Sequence, residues 1–293
     1  MTKTAWVFPG QGSQAIGMGV DLVDLPFAQR QFERARKILG WDIVEICQSQ
    51  EDKLSRTLYT QPCLYVVESI LADVLIERGN TPNLVAGHSL GEYVALYVAR
   101  VFDFEAGLRL VKRRAELMDS ASDGMMAALI GFDREQLEQQ IQQTPNVVLA
   151  NDNSPAQVVI SGTPDAVKDV LAKIKVKRAV PLNVSGAFHS PLMAEAAAEF
   201  QDVLESVSFA NAQVPVLSNV EPVPTVEAEH LKHRLQRQMT GSVRWREISL
   251  QLPVAGIERV VEIGPGKVLT GLIKRMCPDL VLENMSNLAE LPT

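Results

Sequence analysis

Short apolar runs alternate with longer amphipathic ones along most of the chain, the rhythm of strands and covering helices in a parallel sheet. Thr4 to Phe8 reads as a first strand, ending in the glycine-rich Pro9-Gly10-Gln11-Gly12-Ser13-Gln14. Leu84-Val85-Ala86 reads as a central strand running into a tight turn at Ser89, and Arg259 to Ile263 as a late strand before Gly264-Pro265-Gly266. The pattern changes between about Met125 and Leu182. A strand from Met126 to Ile130 precedes a helix opening at Asp133, with Gln136 three residues on as a capping-box signal. Two strand-like runs follow, Val147 to Ala150 and Gln157 to Ser161, separated by the turn-rich Asn151-Asp152-Asn153-Ser154-Pro155. A second helix opens at Thr163 with Pro164 in its first turn, and Ala179 to Val184 reads as a last strand. That order, β-α-β-β-α-β, is the ferredoxin-like split pattern. The expectation is an α/β protein in which a small ferredoxin-like subdomain, residues 125–187, is inserted into a larger parallel-sheet domain formed by 1–124 and 188–293.

Composition narrows the partners. Of 293 residues, 46% are hydrophobic and 22% charged, enough to bury a sizeable core. A net charge of −7 argues against nucleic acid or an anionic membrane as the main partner, so an anionic substrate must meet a local cation. No apolar run approaches the roughly 18 residues needed to cross a bilayer. The N-terminal run reaches Pro9-Gly10 too early for a signal sequence, which leads us to expect a cytoplasmic protein. Cys47, Cys63 and Cys277 lie far apart without metal-ligand spacing, so free thiols and no metal site are expected.

Gly87-His88-Ser89-Leu90-Gly91 fits G-x-S-x-G, in which a sharp strand-to-helix turn exposes a serine and glycines remove clashing side chains. A helix N-terminus there would place backbone N–H groups where an oxyanion develops. The plainer alternative is a glycine-bracketed turn with a capping serine. A nucleophilic serine needs an oriented base, and the chain has four histidines. His88 adjoins the serine on a turn where neighbouring side chains diverge. His230 and His233 sit in a polar helical stretch that faces solvent. His189 lies in Gly186-Ala187-Phe188-His189-Ser190-Pro191, between a strand and a helix, where α/β sites are built and where the dipole keeps an imidazole neutral.

Arg114 is out of place for a solvated charge. In the helix opening at Asp103, at about 100° per residue, Gly107, Leu110, Val111, Ala115, Leu117 and Met118 form one apolar arc, and Arg114 falls inside it. A buried guanidinium needs an anion, which is either an internal Asp or Glu or a substrate carboxylate held in two parallel hydrogen bonds. The loop from Gly10 to Gln14 is not a phosphate loop, because no Gly-Lys-Ser/Thr follows and no complete G-x-G-x-x-G is present. It is either a plain turn or the source of a second oxyanion N–H. Gly264-Pro265-Gly266-Lys267 reads as a structural turn. Lys173, Lys175, Lys177 and Arg178 form a basic run that is either a docking patch or a solvated face.

Together, Pro9 to Gln14, Gly87 to Tyr93, Arg114, Gly186 to Ser190 and Glu262 to Leu269 resemble, in order, the motifs of the malonyl-CoA:acyl carrier protein transacylase family. That resemblance implies an α/β-hydrolase-like domain with an inserted ferredoxin-like subdomain, Ser89 as nucleophile and His189 as base. It implies an oxyanion hole from the backbone N–H groups of Gln11 and Leu90, and Arg114 holding the malonyl carboxylate. It also implies a histidine oriented by a backbone carbonyl, here matched by Gln238, although Gly241-Ser242 stands where family members often carry asparagine and proline. The partners so implied are malonyl-CoA and acyl carrier protein, with no cofactor and a monomeric enzyme of fatty-acid synthesis. Phe188 resembles the residue of malonyl-selective members. The competing readings are an acyltransferase serving polyketide synthesis, a serine esterase or thioesterase, and a carrier-docking module without catalysis.

Overall fold

The computed structural model describes residues 2–49, 51–184 and 186–290. In chain order the elements are β1 (Thr4–Phe8), α1 (Pro26–Leu39), α2 (Ile43–Gln48), α3 (Thr57–Glu77), β2 (Leu84–Gly87), α4 (Gly91–Val98) and α5 (Phe104–Ser120). They continue with β3 (Met125–Phe132), α6 (Arg134–Gln143), β4 (Val147–Ser154), β5 (Gln157–Gly162), α7 (Pro164–Lys173) and β6 (Val176–Pro181). The chain closes with α8 (Ala194–Ser206), β7 (Val216–Leu217), α9 (Ala228–Gln238), α10 (Trp245–Val254), β8 (Arg259–Ile263), α11 (Val268–Lys274) and β9 (Val281–Met285).

Five strands form one parallel sheet in the order β7-β2-β1-β8-β9. All five residues of β1 and all four of β2 are buried, as expected of strands covered on both faces. The 21-residue α3 is apolar almost all round and buried along most of its length, so it runs through the protein rather than over it. A second sheet is antiparallel, in the order β4-β5-β3-β6, with α6 and α7 packed on it around Leu129, Leu137, Ile160 and Val167. Asp133 accepts from the N–H of Gln136 at 2.8 Å and Thr163 from that of Ala166 at 3.4 Å, so both helices open where the capping residues are.

Two segments differ from the expectation. The polar run Asn151-Asp152-Asn153-Ser154 is the second half of β4, not a loop, and only Pro155-Ala156 turns the chain. Irregular register at Leu149/Asn151 and Asp152/Ser154 accommodates these residues. The Asp152 N–H donates to Val243 O at 2.9 Å and the Val243 N–H to Ala150 O at 2.8 Å, so the strand is also stitched to the segment before α10. The last strand spans Val176–Pro181 rather than Ala179 to Val184, because its pairing with β3 begins at Phe132↔Val176 and recruits the charged Lys177 and Arg178.

No helix among the described residues is long and apolar enough to cross a membrane. Among the described residues no group of three or more His, Cys, Asp or Glu could hold a metal ion. The three cysteines are buried free thiols.

Candidate active site

β1 and β2 run side by side, and the turns at their ends meet. Ser89 stands between β2 and α4 with φ 52°, a left-handed backbone that a β-carbon makes costly. The flanking glycines are demanded by packing. A β-carbon on Gly87 would lie 1.9 Å from Gly91 C, and one on Gly91 would lie 2.0 Å from Phe8 O. The turn is therefore pressed against the end of β1, with Leu90 as the residue before α4. His88 turns away from the serine: its ring meets Asn153 Oδ1 at 2.8 Å and packs beside Trp245. His230 and His233 are exposed on α9.

His189, also in a left-handed conformation (φ 56°), brings Nε2 to 2.8 Å from Ser89 Oγ. Its Nδ1 faces two acceptors, Gln238 O at 2.9 Å and Gly241 O at 3.2 Å. Carbonyls accept only, so the proton sits on Nδ1 and Nε2 is left as the acceptor for the serine hydroxyl. Burial, followed by the positive charge of Arg114, pushes the imidazole pKa down to about 3 from its usual 6.5. The ring is thus a neutral acceptor at physiological pH, with backbone carbonyls in the place a carboxylate occupies in a catalytic triad.

Arg114 is fully buried on α5, among the apolar residues of the arc. No carboxylate pairs with it among the described residues. Its Nη1 donates to Gln61 Oε1 at 2.7 Å, and its Nη2 to Ser89 Oγ at 3.0 Å and Gln238 Oε1 at 3.1 Å. The guanidinium lies 5.4 Å from the centre of the Tyr93 ring, and its Nε has no hydrogen-bond partner among the described residues. Burial pushes its pKa down, with Tyr93 and Glu92 opposing that shift. A cation whose hydrogen bonds among the described residues go only to neutral groups, with Glu92 acting on it without a direct ion pair, is poised for an anion from outside.

Ser89, His189, Arg114, Gln11 and Leu90 line one cavity of about 70 Å³, closed by Met118, Met126, Leu182 and Phe188. It is a small, partly open cavity with room for a short acyl group beside the serine. Larger clefts, one of which shares Val184 with this cavity, contain neither the serine nor the histidine.

A family model for the acyl transferase domain matches residues 5–292. This chain belongs to that acyl transferase family. It is 58% identical over 289 residues, 99% of each chain, to the malonyl CoA-acyl carrier protein transacylase of Synechocystis sp.. The crystal structure of that relative superposes with a TM-score of 0.97 over 99% of both chains. It is 42% identical, over 94% of this chain and 97% of the relative, to a polyketide biosynthesis malonyl CoA-acyl carrier protein transacylase of Bacillus subtilis. A malonyl-transacylase solved in complex with a type II polyketide acyl-carrier protein matches at 39% identity and a TM-score of 0.93, over 99% and 98% of the chains. The resemblance carried by the motifs and the α/β class with a second, antiparallel sheet both hold.

The candidate site contains residues to which the sequence reading gave no role. Gln61 on α3 holds Arg114. Asn219, two residues past β7, clamps the serine turn: its Oδ1 accepts the Ser89 N–H at 2.7 Å, and its Nδ2 donates to Gly87 O at 2.6 Å. Beneath them lies Glu92, whose carboxylate accepts from the Asn219 N–H at 3.2 Å and from Gln238 Nε2 at 2.8 Å. Gln238 Nε2 also donates to Ser89 O at 2.8 Å. Gln238 therefore does more than the sequence assigned to it: its backbone faces His189 while its side chain ties Arg114, Ser89 and Glu92 together. The available signals were a polar pair, Ser218-Asn219, straight after an apolar run, and a glutamine inside the apolar stretch of α3. Gly264-Pro265-Gly266 is the structural turn expected, with Lys267 exposed, and Glu262 caps α11 by accepting from the N–H groups of Leu269 and Thr270 at 2.9 and 2.8 Å.

Proposed function

We propose that this acyl transferase moves the malonyl group of malonyl-CoA to the thiol of acyl carrier protein through a malonyl ester on Ser89, supplying fatty-acid synthesis. The observation that carries the reading is Arg114, a buried cation that forms no ion pair among the described residues and touches the Ser89 hydroxyl. An acyl group bound to Ser89 and ending in a carboxylate would meet it, and an acetyl group would not.

In the first half-reaction Ser89 Oγ attacks the thioester carbonyl and gives its proton to His189 Nε2. The negative charge gathers on the carbonyl oxygen, facing the backbone N–H groups of Gln11 and Leu90. The C–S bond breaks, and the coenzyme A thiolate takes the proton from His189. In the second half-reaction the carrier thiol gives its proton to His189 and attacks the ester. The C–O bond breaks, and the proton returns to Ser89. The Gln238 carbonyl keeps the imidazole in one tautomer throughout. We take residues 125–187 as a subdomain inserted between 1–124 and 188–293, and the enzyme as a cytoplasmic monomer that uses no cofactor.

Intact-mass measurement tests the reading. Malonyl-CoA should load one malonyl group on the wild type and none on Ser89→Ala, and holo-carrier protein should then remove it as malonyl carrier. Release of free malonate with little malonyl carrier formed would instead identify an esterase. Comparing fatty-acid and polyketide carriers as acceptors separates the two biosynthetic settings, the second of which is that of a relative from Bacillus subtilis.

A further inference from the structure

Behind the serine turn lies a buried charge to which the proposed mechanism gives no part. Glu92 stands in the first turn of α4, three residues after Ser89, and its side chain is buried. One carboxylate oxygen, Oε2, accepts from the Asn219 N–H at 3.2 Å and from Gln238 Nε2 at 2.8 Å. Both bonds come from N–H groups, and the first turn of a helix favours negative charge, so the surroundings suit an ionised carboxylate. Burial pushes its pKa up, and the Gln238 amide is the first group to oppose that rise.

Arg114 lies on the other side of the same amide, since Gln238 Oε1 accepts from Arg114 Nη2 at 3.1 Å. The order is carboxylate, amide, guanidinium. A carboxylate only accepts and a guanidinium only donates, so a glutamine between them fits in one orientation. The Gln238 Nε2 bond to Ser89 O at 2.8 Å requires that same orientation. Across the amide, Glu92 and Arg114 each oppose what burial does to the other. The pair leaves the buried site close to neutral, while the guanidinium remains in contact with Ser89 Oγ. Direct pairing would cover the guanidinium, and with no counter-charge a bare cation would face the cavity and draw in small anions from solution.

We propose that Glu92 is the counter-charge that sets how tightly Arg114 grips an anion, holding free malonate and other small carboxylates weakly enough that they do not block Ser89. This rests on the functional reading above, in which Arg114 meets the distal carboxylate of the acyl group, and adds the residue that tunes that contact. Glu92 itself touches no substrate and acts through Gln238 and Arg114. At an effective dielectric of about 20, a unit charge one amide away shifts the binding of an anion by about tenfold.

The test is protection of Ser89 from a fluorophosphonate by free malonate at low salt, with malonamide as an uncharged control of similar shape. Glu92→Gln keeps an acceptor for Asn219 and Gln238 and removes the charge. Glu92→Met is a second neutral variant, which decides the matter if the first does not fold. The expected result is a malonate concentration for half-protection at least fivefold lower than in the wild type, with malonamide changed less than twofold. Arg114→Ala should abolish malonate protection with either residue at position 92. A merely structural role would loosen the site for both ligands together. Half-protection by malonate at the wild-type concentration or above, in a folded neutral variant, overturns the proposal. Tightening that persists with Arg114→Ala overturns it as well, by showing a general field rather than a tuned contact. Failure of the functional reading is distinct: the wild type would then not load malonyl from malonyl-CoA, whereas the malonate measurement uses neither thioester nor carrier.

Discussion

Arg114 Nη2 lies 3.0 Å from Ser89 Oγ, so the cation that would hold the distal end of the acyl group touches the nucleophile before any acyl group arrives. On the proposed mechanism the same hydrogen bond would support the serine oxygen as it attacks and would free the guanidinium for the carboxylate once that oxygen is esterified. Arg114→Ala should therefore lower malonyl loading by about 100-fold or more, the equivalent of one or two charge-assisted hydrogen bonds, and acetyl loading much less. Single-turnover acylation with the two thioesters measures this, and equal losses would remove the carboxylate clamp.

The depressed pKa of His189 predicts the pH profile. A ring that stays neutral down to about 3 remains a base well below the usual 6.5. Labelling of Ser89 by a fluorophosphonate, which carries no carboxylate of its own, should persist at pH 5. An acid limb with an apparent pKa between 6 and 7 would contradict the buried-imidazole picture. Stability moves the other way. The unfolded chain binds a proton at this histidine before the folded one does, so falling pH between about 6.5 and 3 destabilises the fold.

Asn219 accepts the N–H of Ser89 and thereby occupies that donor, so in the proposed mechanism the oxyanion would rely on the cavity-lining residues Leu90 and Gln11. Asn219→Leu keeps the side-chain shape and loses both hydrogen bonds to the turn. The left-handed backbone of Ser89 then lacks its clamp, and acylation should slow by about tenfold to 100-fold, with little change in the KM for malonyl-CoA. Asn219→Asp retains the acceptor and should recover part of the rate. A leucine variant with a wild-type acylation rate would show that the glycine packing alone fixes the turn.

The sequence was most informative where one local rule decides the structure. The serine turn is bracketed by glycines that packing demands, and Arg114 was found because a helix has a fixed period. The four-residue polar end of β4 was not legible, because its partners are Val243 and the bulges of β5 pairing, neither visible in a local window. The same holds for the site's inner network. Gln61, Glu92, Asn219 and Gln238 come from α3, α4, the end of β7 and the end of α9, and no spacing relates them. Gln61 and Asn219 are polar residues in or after apolar runs, a signal shared with ordinary caps and turns, Gln238 stands in a polar stretch, and Glu92 lies within the serine motif without any sign of its partners. The carbonyl facing His189 was found only through motif resemblance, since every residue has a carbonyl.

Phe188 gives a prediction about selectivity. Its ring is buried, lines the acyl cavity and presses on Gly186, where an added β-carbon would fall 2.6 Å from the ring. In the proposed malonyl ester a methyl branch would have to find room beside this ring in a small cavity. One methyl group is worth about 1–3 kcal/mol of discrimination in such a pocket. Phe188→Ser should therefore raise the methylmalonyl-to-malonyl ratio of kcat/KM by roughly tenfold to 100-fold, chiefly by admitting the branched substrate. Loading of malonyl itself should fall less, because Arg114 still holds the carboxylate. Competition between the two thioesters, read as the masses of the Ser89 adducts, measures the ratio directly. An unchanged ratio in a variant that still loads malonyl would mean that the branch is excluded by another wall of the cavity, with Met126 and Leu182 as the next residues to vary.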